Sequence, residues 1–418
     1  MSDSNGDRAR LVPVSPGSGS ATTQPSKTLD SLTGIRFVAA LMTFLFHITV
    51  LVNPLDFSWP AISPFADTGL AESIYWFFGY SGYIGLSFFF VLSGFVITWS
   101  AKPGTSARAF IRRRLVKVFP NHLVMWAAVM LLFAGGVVSW QVWLPNLFLV
   151  QSWFPTYTIS QSMNVPAWSL CAELLFYLSF PFLVKPLFRL SSRGLWIGAA
   201  AMVVGLGLYQ LAVSTFIPGP AAGSGVPMSD TQYWLAYLFP VGRIFEFLLG
   251  MFLARIVITG QWPARLGPLV ATLIMAVGYA ATLFVPVQLA LNLITLAPIG
   301  IVVAAFANAD LRGTRTLVRG KRMVFLGKIS FGFYMCQAVT VFYFRAVTGG
   351  PKYDLAGALL LSLGMFAMTL LGGWLLFRFV ETPMMRRFGR KPGEPAAPVQ
   401  PRGADLKSPD ASEERSAA

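Results

Sequence analysis

The sequence predicts an all-α bundle of about ten membrane-spanning helices with both termini in the cytoplasm, and three observations predict it. Of its 418 residues, 55% are hydrophobic and 12% charged, against about 25% charged in soluble globular chains; the mean hydropathy is +0.63. Apolar runs of spanning length recur near 31–52, 83–101, 118–138, 168–188, 194–216, 233–254, 268–286, 289–307, 329–347 and 355–380. Positive charge is confined to alternate connections. With the N-terminus inside, every lysine and arginine falls in a cytoplasmic segment or at its membrane edge except Arg36, Arg243, Arg345 and Lys352, the asymmetry that sets orientation. The net charge of +15 then meets anionic head groups or an anionic cofactor at the inner surface, which argues against nucleic acid as its partner.

Residues 1–28 are polar and rich in Ser, Gly, Thr and Pro; they predict a disordered cytoplasmic tail without a cleavable signal. The first span, TLDSLTGIRFVAALMTFLFHITVLV, has Asp30 or Ser31 placed to cap its start. It carries Arg36 and His47, eleven residues apart. At about 100° and 1.5 Å per residue that spacing is three turns plus ~20°, so both project from one face, ~16 Å apart along the axis. An ionisable group inside a span costs at least ~2.5 kcal/mol and so points to function there. Asn53 to Gly82 has no lysine or arginine and reads as an external loop with an aromatic belt. The second span contains Gly85 and Gly94, which permit close helix approach.

Lys102 to Lys117 is strongly basic, with Arg112, Arg113 and Arg114 in succession. Two readings stand: a cytoplasmic anchor or a phosphate clamp, since guanidinium groups suit bidentate phosphate contacts. The third span opens at Val118 with Pro120 in its first turn and His122 at the surface. The stretch from Ser139 to Ala167 is uncharged and holds Trp140, Trp143 and Trp153. Its apolar piece 142–150 is too short to span, which predicts a re-entrant or interfacial segment. The fourth span, WSLCAELLFYLSFPFL, carries Glu173 at a depth expected to match His47. The sixth carries Arg243 and Glu246 on one helical face, a pair that neutralises itself within the packing. Cys171 and Cys336 fall toward opposite membrane faces, so no disulfide is expected between them. Residues 389–418 predict a second disordered, basic cytoplasmic tail.

No metal-ligand cluster, Walker loop or GxSxG elbow occurs in the sequence. What remains for chemistry is the intramembrane set Arg36, His47, Glu173, Arg243 and Glu246. Histidine suits proton transfer because its unperturbed pKa lies near neutrality, and a carboxylate at its depth would orient the ring; a buried structural histidine is the alternative.

The phrases LDSLTGIRFVAALMTFLFH, FFFVLSGFVIT, FIRRRLVKVFP, VPAWSLCAELLFYLSFP and LGKISFGFYM occur in an order that resembles the acyltransferase-3 membrane O-acyltransferases across 29–388. TGIRFVAA, SFFFVLSGFVITWS and FPNH are similar to the actinobacterial branch that includes macrolide O-acyltransferases. The resemblance implies transfer of an acetyl or short acyl group from acyl-CoA, with no metal, to a hydroxyl of a carbohydrate or glycosylated natural product, in a bacterial plasma membrane. His47 matches the family's essential histidine, a general base or transient acyl carrier. Arg36 matches the signature arginine, and Glu173 the acid of the WSLxxE phrase. Arg112, Arg113 and Arg114 match the basic motif associated with the CoA phosphates, and Lys117 belongs to the same stretch. Arg243, Glu246, Trp168 and Tyr334 are candidate substrate-binding residues, with Arg36 or Arg243 available to stabilise an oxyanion. Two departures stand out: Gln337 occupies a position where many members have a histidine, and no SGNH domain follows the last span. The rival reading is a secondary transporter or lipid-linked-sugar flippase with Arg36, His47 and Glu173 as a proton relay; no inverted repeat is visible between the halves. A membrane glycosyltransferase ranks behind it, since Asp56, Asp67 and Glu72 are scattered.

Overall fold

The structure, a computed structural model, describes residues 28–101, 106–134, 138–217, 219 and 227–389; the two expected tails lie outside them apart from residues 28 and 389. In chain order the helices are α1 Asp30–Thr49, α2 Thr68–Phe78, α3 Ser81–Trp99, α4 Ala107–Val129, α5 Trp140–Leu147, α6 Tyr157–Ser160, α7 Trp168–Phe188, α8 Ser192–Phe216 and α9 Asp230–Tyr233. They continue as α10 Ile244–Ile258, α11 Pro268–Thr282, α12 Val287–Ala290, α13 Leu293–Arg312, α14 Lys321–Gln337, α15 Phe344–Val347, α16 Leu355–Leu375 and α17 Thr382–Phe388. Among the described residues the only extended pairing is a bridge between Phe65 and Tyr353. The chain is an all-α, multi-pass membrane protein.

α1 lies between α3 and α14; α3 packs on α10, α14 on α16, α10 on α8, and α11 on α13. α3 is apolar on every side and almost wholly buried, as a helix in the middle of a bundle must be. Where α3 and α10 cross, a Cβ on Gly94 would meet the Phe247 carbonyl oxygen at 1.9 Å, and one on Gly250 would meet the Val91 carbonyl oxygen at 1.9 Å. Lipid offers helices no hydrophobic reason to associate, so such backbone approach supplies the packing.

Among the described residues eight helical segments are long and apolar enough to cross a membrane, and they account for eight of the ten expected spans. The other two differ. α11 has 15 residues, ~22 Å of helix. The expected span 233–254 is interrupted: after α9, a π-helical turn Trp234–Leu238 leads into extended Phe239 and a 3-10 turn Pro240–Arg243 before α10 begins. Pro240 has no N–H to donate and biases Phe239 away from helical geometry.

Three local expectations are corrected. Neither Asp30 nor Ser31 caps α1: Leu29 holds the cap position without a side-chain bond. The Ser31 amide and hydroxyl instead donate to the two carboxylate oxygens of Asp310, at 2.8 and 2.7 Å, so a residue of α13 does the capping. From Ala107 on, the basic stretch is not a connection before the third span but the first turns of α4, whose start is capped by Ser106 accepting from the Ala109 amide at 3.2 Å. Ala, Arg, Lys and Leu are strong helix formers, and Pro120 therefore sits in the helix interior. The loop after α1 contains α2, capped by Asp67. Residues 138–167 fold into short pieces, α5, a 3-10 turn Gln151–Trp153, α6 and a 3-10 turn Val165–Ala167. Leu149 and Met163 there adopt positive φ of 57° and 56°, which costs a residue with a bulky side chain. Both are buried. Cys171 and Cys336 are free.

Candidate functional site

Two cavities lie end to end along the inward face of α1. The first, about 100 Å³, is lined by Arg36 of α1, Arg114 and Lys117 of α4, Glu173 and Tyr177 of α7, and apolar residues of α3 that include Leu86 and Phe90. The Tyr177 hydroxyl donates to Glu173 at 2.5 Å, and Lys117 stands 3.7 Å from Glu381. Among the described residues neither Arg36 nor Arg114 is in an ion pair; Arg114 lies over the rings of Phe110 and Tyr177 instead. With three cations lining it against one carboxylate, Glu173, the cavity has the donor set for an anion.

The second cavity, about 210 Å³, holds His47. The His47 Nδ1 lies 2.6 Å from the Gln337 side-chain oxygen. The Gln337 amide nitrogen is committed to the Ala40 carbonyl at 3.3 Å and to Thr43 Oγ1 at 3.4 Å. Thr43 itself donates to Ala40 at 2.7 Å, so its oxygen is free to accept. These bonds orient the amide with its oxygen toward the ring, which requires the proton on Nδ1 and leaves the lone pair on Nε2. The ring is braced edge-on by Phe342 at 4.8 Å and lines the cavity. Around it stand Phe46, Tyr75, Tyr83, Tyr157, Trp168 and Tyr237. Tyr83 and Trp168 both contact the Tyr237 ring, at 4.6 and 4.9 Å. Burial pushes the Tyr157 phenol above its ordinary value, reinforced by Asp230, so it stays a neutral donor and acceptor. Amphipathic rings of this kind present apolar faces and hydroxyls together.

The two cavities share two lining residues, Leu86 and Tyr334. Of the sequence-predicted site residues, Arg36, Arg114, Lys117 and Glu173 come together in the cationic cavity, and His47 and Trp168 in the other. Arg112 is exposed and Arg113 half-buried, and neither lines a cavity. Helical rotation explains this, because consecutive residues point ~100° apart while Arg114 and Lys117, three apart, share a face. Glu173 does not reach the histidine as expected. Trp168, already 5% exposed at the first residue of α7, lines the histidine cavity, and five further residues carry Glu173 ~7.5 Å along the axis to the arginine end. α7 starts buried in the protein, packed against the segment 138–167 through Gln151 and Ser152.

Arg243 and Glu246 line neither cavity. They form a fully buried ion pair at 2.9 Å, with Ser87 3.2 Å from the guanidinium. The guanidinium lies 5.1 Å from the centre of the Phe90 ring and 4.6 Å from that of Tyr237. Phe90 belongs to one cavity wall and Tyr237 to the other, so the pair stands one side chain behind both. Sequence reasoning missed Gln337 as the partner of His47; its signal is Thr43, one turn before His47 on the same face, opposite a polar residue in an apolar span. The tyrosines were missed too, because their convergence from α2, α3, α6 and the segment 233–237 is tertiary.

Comparison with known proteins agrees with this geometry. The family model described as an acyltransferase domain, acyltransferase-3, matches residues 29–378. The chain is 35% identical over 383 residues to acyltransferase MdmB of Streptomyces mycarofaciens, covering 88% of this chain and 95% of that protein. It is 25% identical over 404 residues to peptidoglycan O-acetyltransferase OatA of Listeria monocytogenes serovar 1/2a, covering 86% of this chain and 56% of that one. No solved structure matches significantly. With a histidine and a cation cluster in adjoining intramembrane cavities and a family match over nearly the whole helical region, the chain belongs to the acyltransferase-3 family of membrane O-acyltransferases.

Proposed function

We propose that this protein transfers a short acyl group from acyl-CoA to a hydroxyl of a glycan or glycosylated macrolide, as a multi-pass enzyme of the bacterial plasma membrane. The observation that carries the reading is the pair of adjoining cavities, one cationic and one holding a histidine with a free Nε2. Arg36, Arg114 and Lys117 bind the anionic donor and bring its thioester to the shared wall. Glu173, held by Tyr177, keeps the cation cluster from repelling itself. The aromatic walls of the other cavity receive the sugar-bearing acceptor; the likeness of TGIRFVAA, SFFFVLSGFVITWS and FPNH to the macrolide-acylating branch supports a macrolide glycoside, and the match to a peptidoglycan O-acetyltransferase a polysaccharide.

His47 Nε2 takes the proton of the acceptor hydroxyl as its oxygen attacks the thioester carbonyl. The tetrahedral adduct collapses, the C–S bond breaks, and the imidazolium returns the proton to the departing thiolate. Gln337 keeps the tautomer in which Nε2 can do this. Incubation of purified protein with acetyl-CoA and a glycosylated macrolide or a peptidoglycan fragment tests the reading. The expected result is an acetyl ester on the acceptor, by mass spectrometry, with stoichiometric free CoA; absence of an ester with every such acceptor refutes it.

A further inference from the structure

We infer that Tyr334 is a catalytic residue of this transfer, the hydroxyl that donates to the oxyanion of the tetrahedral adduct; the inference rests on the acyl-transfer reading above. Donor and acceptor occupy different cavities, so their reacting atoms meet at the wall between them. Of the two residues that line both cavities, Leu86 is apolar and Tyr334 carries an O–H. That hydroxyl lies 3.1 Å from Ser169 Oγ, whose residue lines the cationic cavity. It donates to the Pro166 carbonyl at 2.9 Å, beside Val165, which lines the histidine cavity. Tyr334 also precedes Gln337, the partner of His47, by one turn of α14, so the group that orients the base and this O–H are mounted on one helix face.

Arg36 and Arg243, the two cations the sequence offered for this role, are badly placed for it. Arg243 is sealed behind Phe90 and Tyr237, and Arg36 lies three turns of α1 from His47, ~16 Å along the axis. The Tyr334 hydrogen is also free to move. The Pro166 carbonyl accepts from Ser169 Oγ at 2.9 Å as well, so Tyr334 can turn its O–H to a new acceptor without leaving that buried carbonyl unpaired. As the acceptor oxygen bonds to the thioester carbon, the carbonyl oxygen gains the negative charge and accepts from Tyr334. When the C–S bond breaks, the charge leaves with the CoA thiolate, which takes the proton held on His47, and Tyr334 returns to Pro166.

The test is steady-state kinetics of the full-length protein in detergent, with acetyl-CoA as donor and a glycosylated macrolide, a peptidoglycan fragment or water as acceptor. Tyr334→Phe keeps the wall and removes the donor, so kcat falls about 10²–10³-fold while KM for acetyl-CoA stays within about twofold. Ser169→Ala ties the tyrosine hydrogen to Pro166; it lowers kcat by less, and adds no further loss on top of Tyr334→Phe. A Tyr334→Phe enzyme with wild-type kcat, or one impaired through KM alone, overturns the inference and leaves the transfer reading intact. Wild-type protein that forms an ester with neither the macrolide nor the peptidoglycan fragment overturns the reading and the inference together. If Tyr334→Phe yields no folded protein, Ser169→Ala decides: an unchanged kcat there overturns the assignment.

Discussion

Among the described residues no carboxylate pairs with His47; its orienting partner is an amide whose own nitrogen is held by Ala40 and Thr43. A neutral partner fixes the tautomer without adding charge to a site that must admit an anionic donor nearby. Replacing His47 by Ala removes the base, and kcat should fall by about 10²–10⁴-fold with the protein still folded; turnover at the wild-type rate would remove the mechanism. Gln337→Leu leaves the ring in place but unoriented, and a misdirected base costs about 10²-fold in kcat. KM for acetyl-CoA, set in the other cavity, should not move in that variant, and initial-rate measurements at several donor concentrations separate the two.

At the scale of elements, α4 turns a basic stretch into a two-sided helix, with Arg114 and Lys117 facing the cavity and Arg112 facing out. Losing a charge-assisted hydrogen bond costs about 1.5–3 kcal/mol. Arg114→Gln should therefore raise KM for acyl-CoA by roughly 10–100-fold. Arg112→Gln should change it far less, which donor titration of both variants would check. The start of α1 depends on α13 through Asp310. Asp310→Ala strands the Ser31 amide and the nearby Arg319, a loss of about 1–3 kcal/mol, visible as a lower unfolding temperature in detergent. Since Arg36 lies five residues past Ser31, the same change should also weaken donor binding.

Over the whole molecule, the Arg243–Glu246 pair ties the interrupted segment before α10 to α3 and backs the wall of each cavity. Glu246→Ala leaves a buried guanidinium without its counter-charge, a cost of about 3–5 kcal/mol. Joint replacement by Met at 243 and Leu at 246 should recover much of that stability, as thermal unfolding of both variants would report. The same paired replacement removes the cation from the Phe90 and Tyr237 rings, so recovered stability with lost activity would show that the pair shapes the cavities as well as filling space.

The extent of the bundle, the match of α7 to its expected bounds, and the shared face of Arg36 and His47 were all legible in the chain. Hydropathy and a 3.6-residue period act locally, so they survive without knowledge of the neighbours. Glu173 was misplaced because depth was reckoned from a membrane surface, whereas α7 begins buried against a segment whose two positive-φ residues no periodicity reveals. The role of Gln337 and the capping by Asp310 were hidden for a simpler reason: their partners lie 290 and 279 residues away. Sequence by itself determined which groups are ionisable within the membrane and where each sits on its helix. Tertiary structure decided which of them meet, because a hydrogen bond or a cavity wall depends on helix packing that no local pattern encodes.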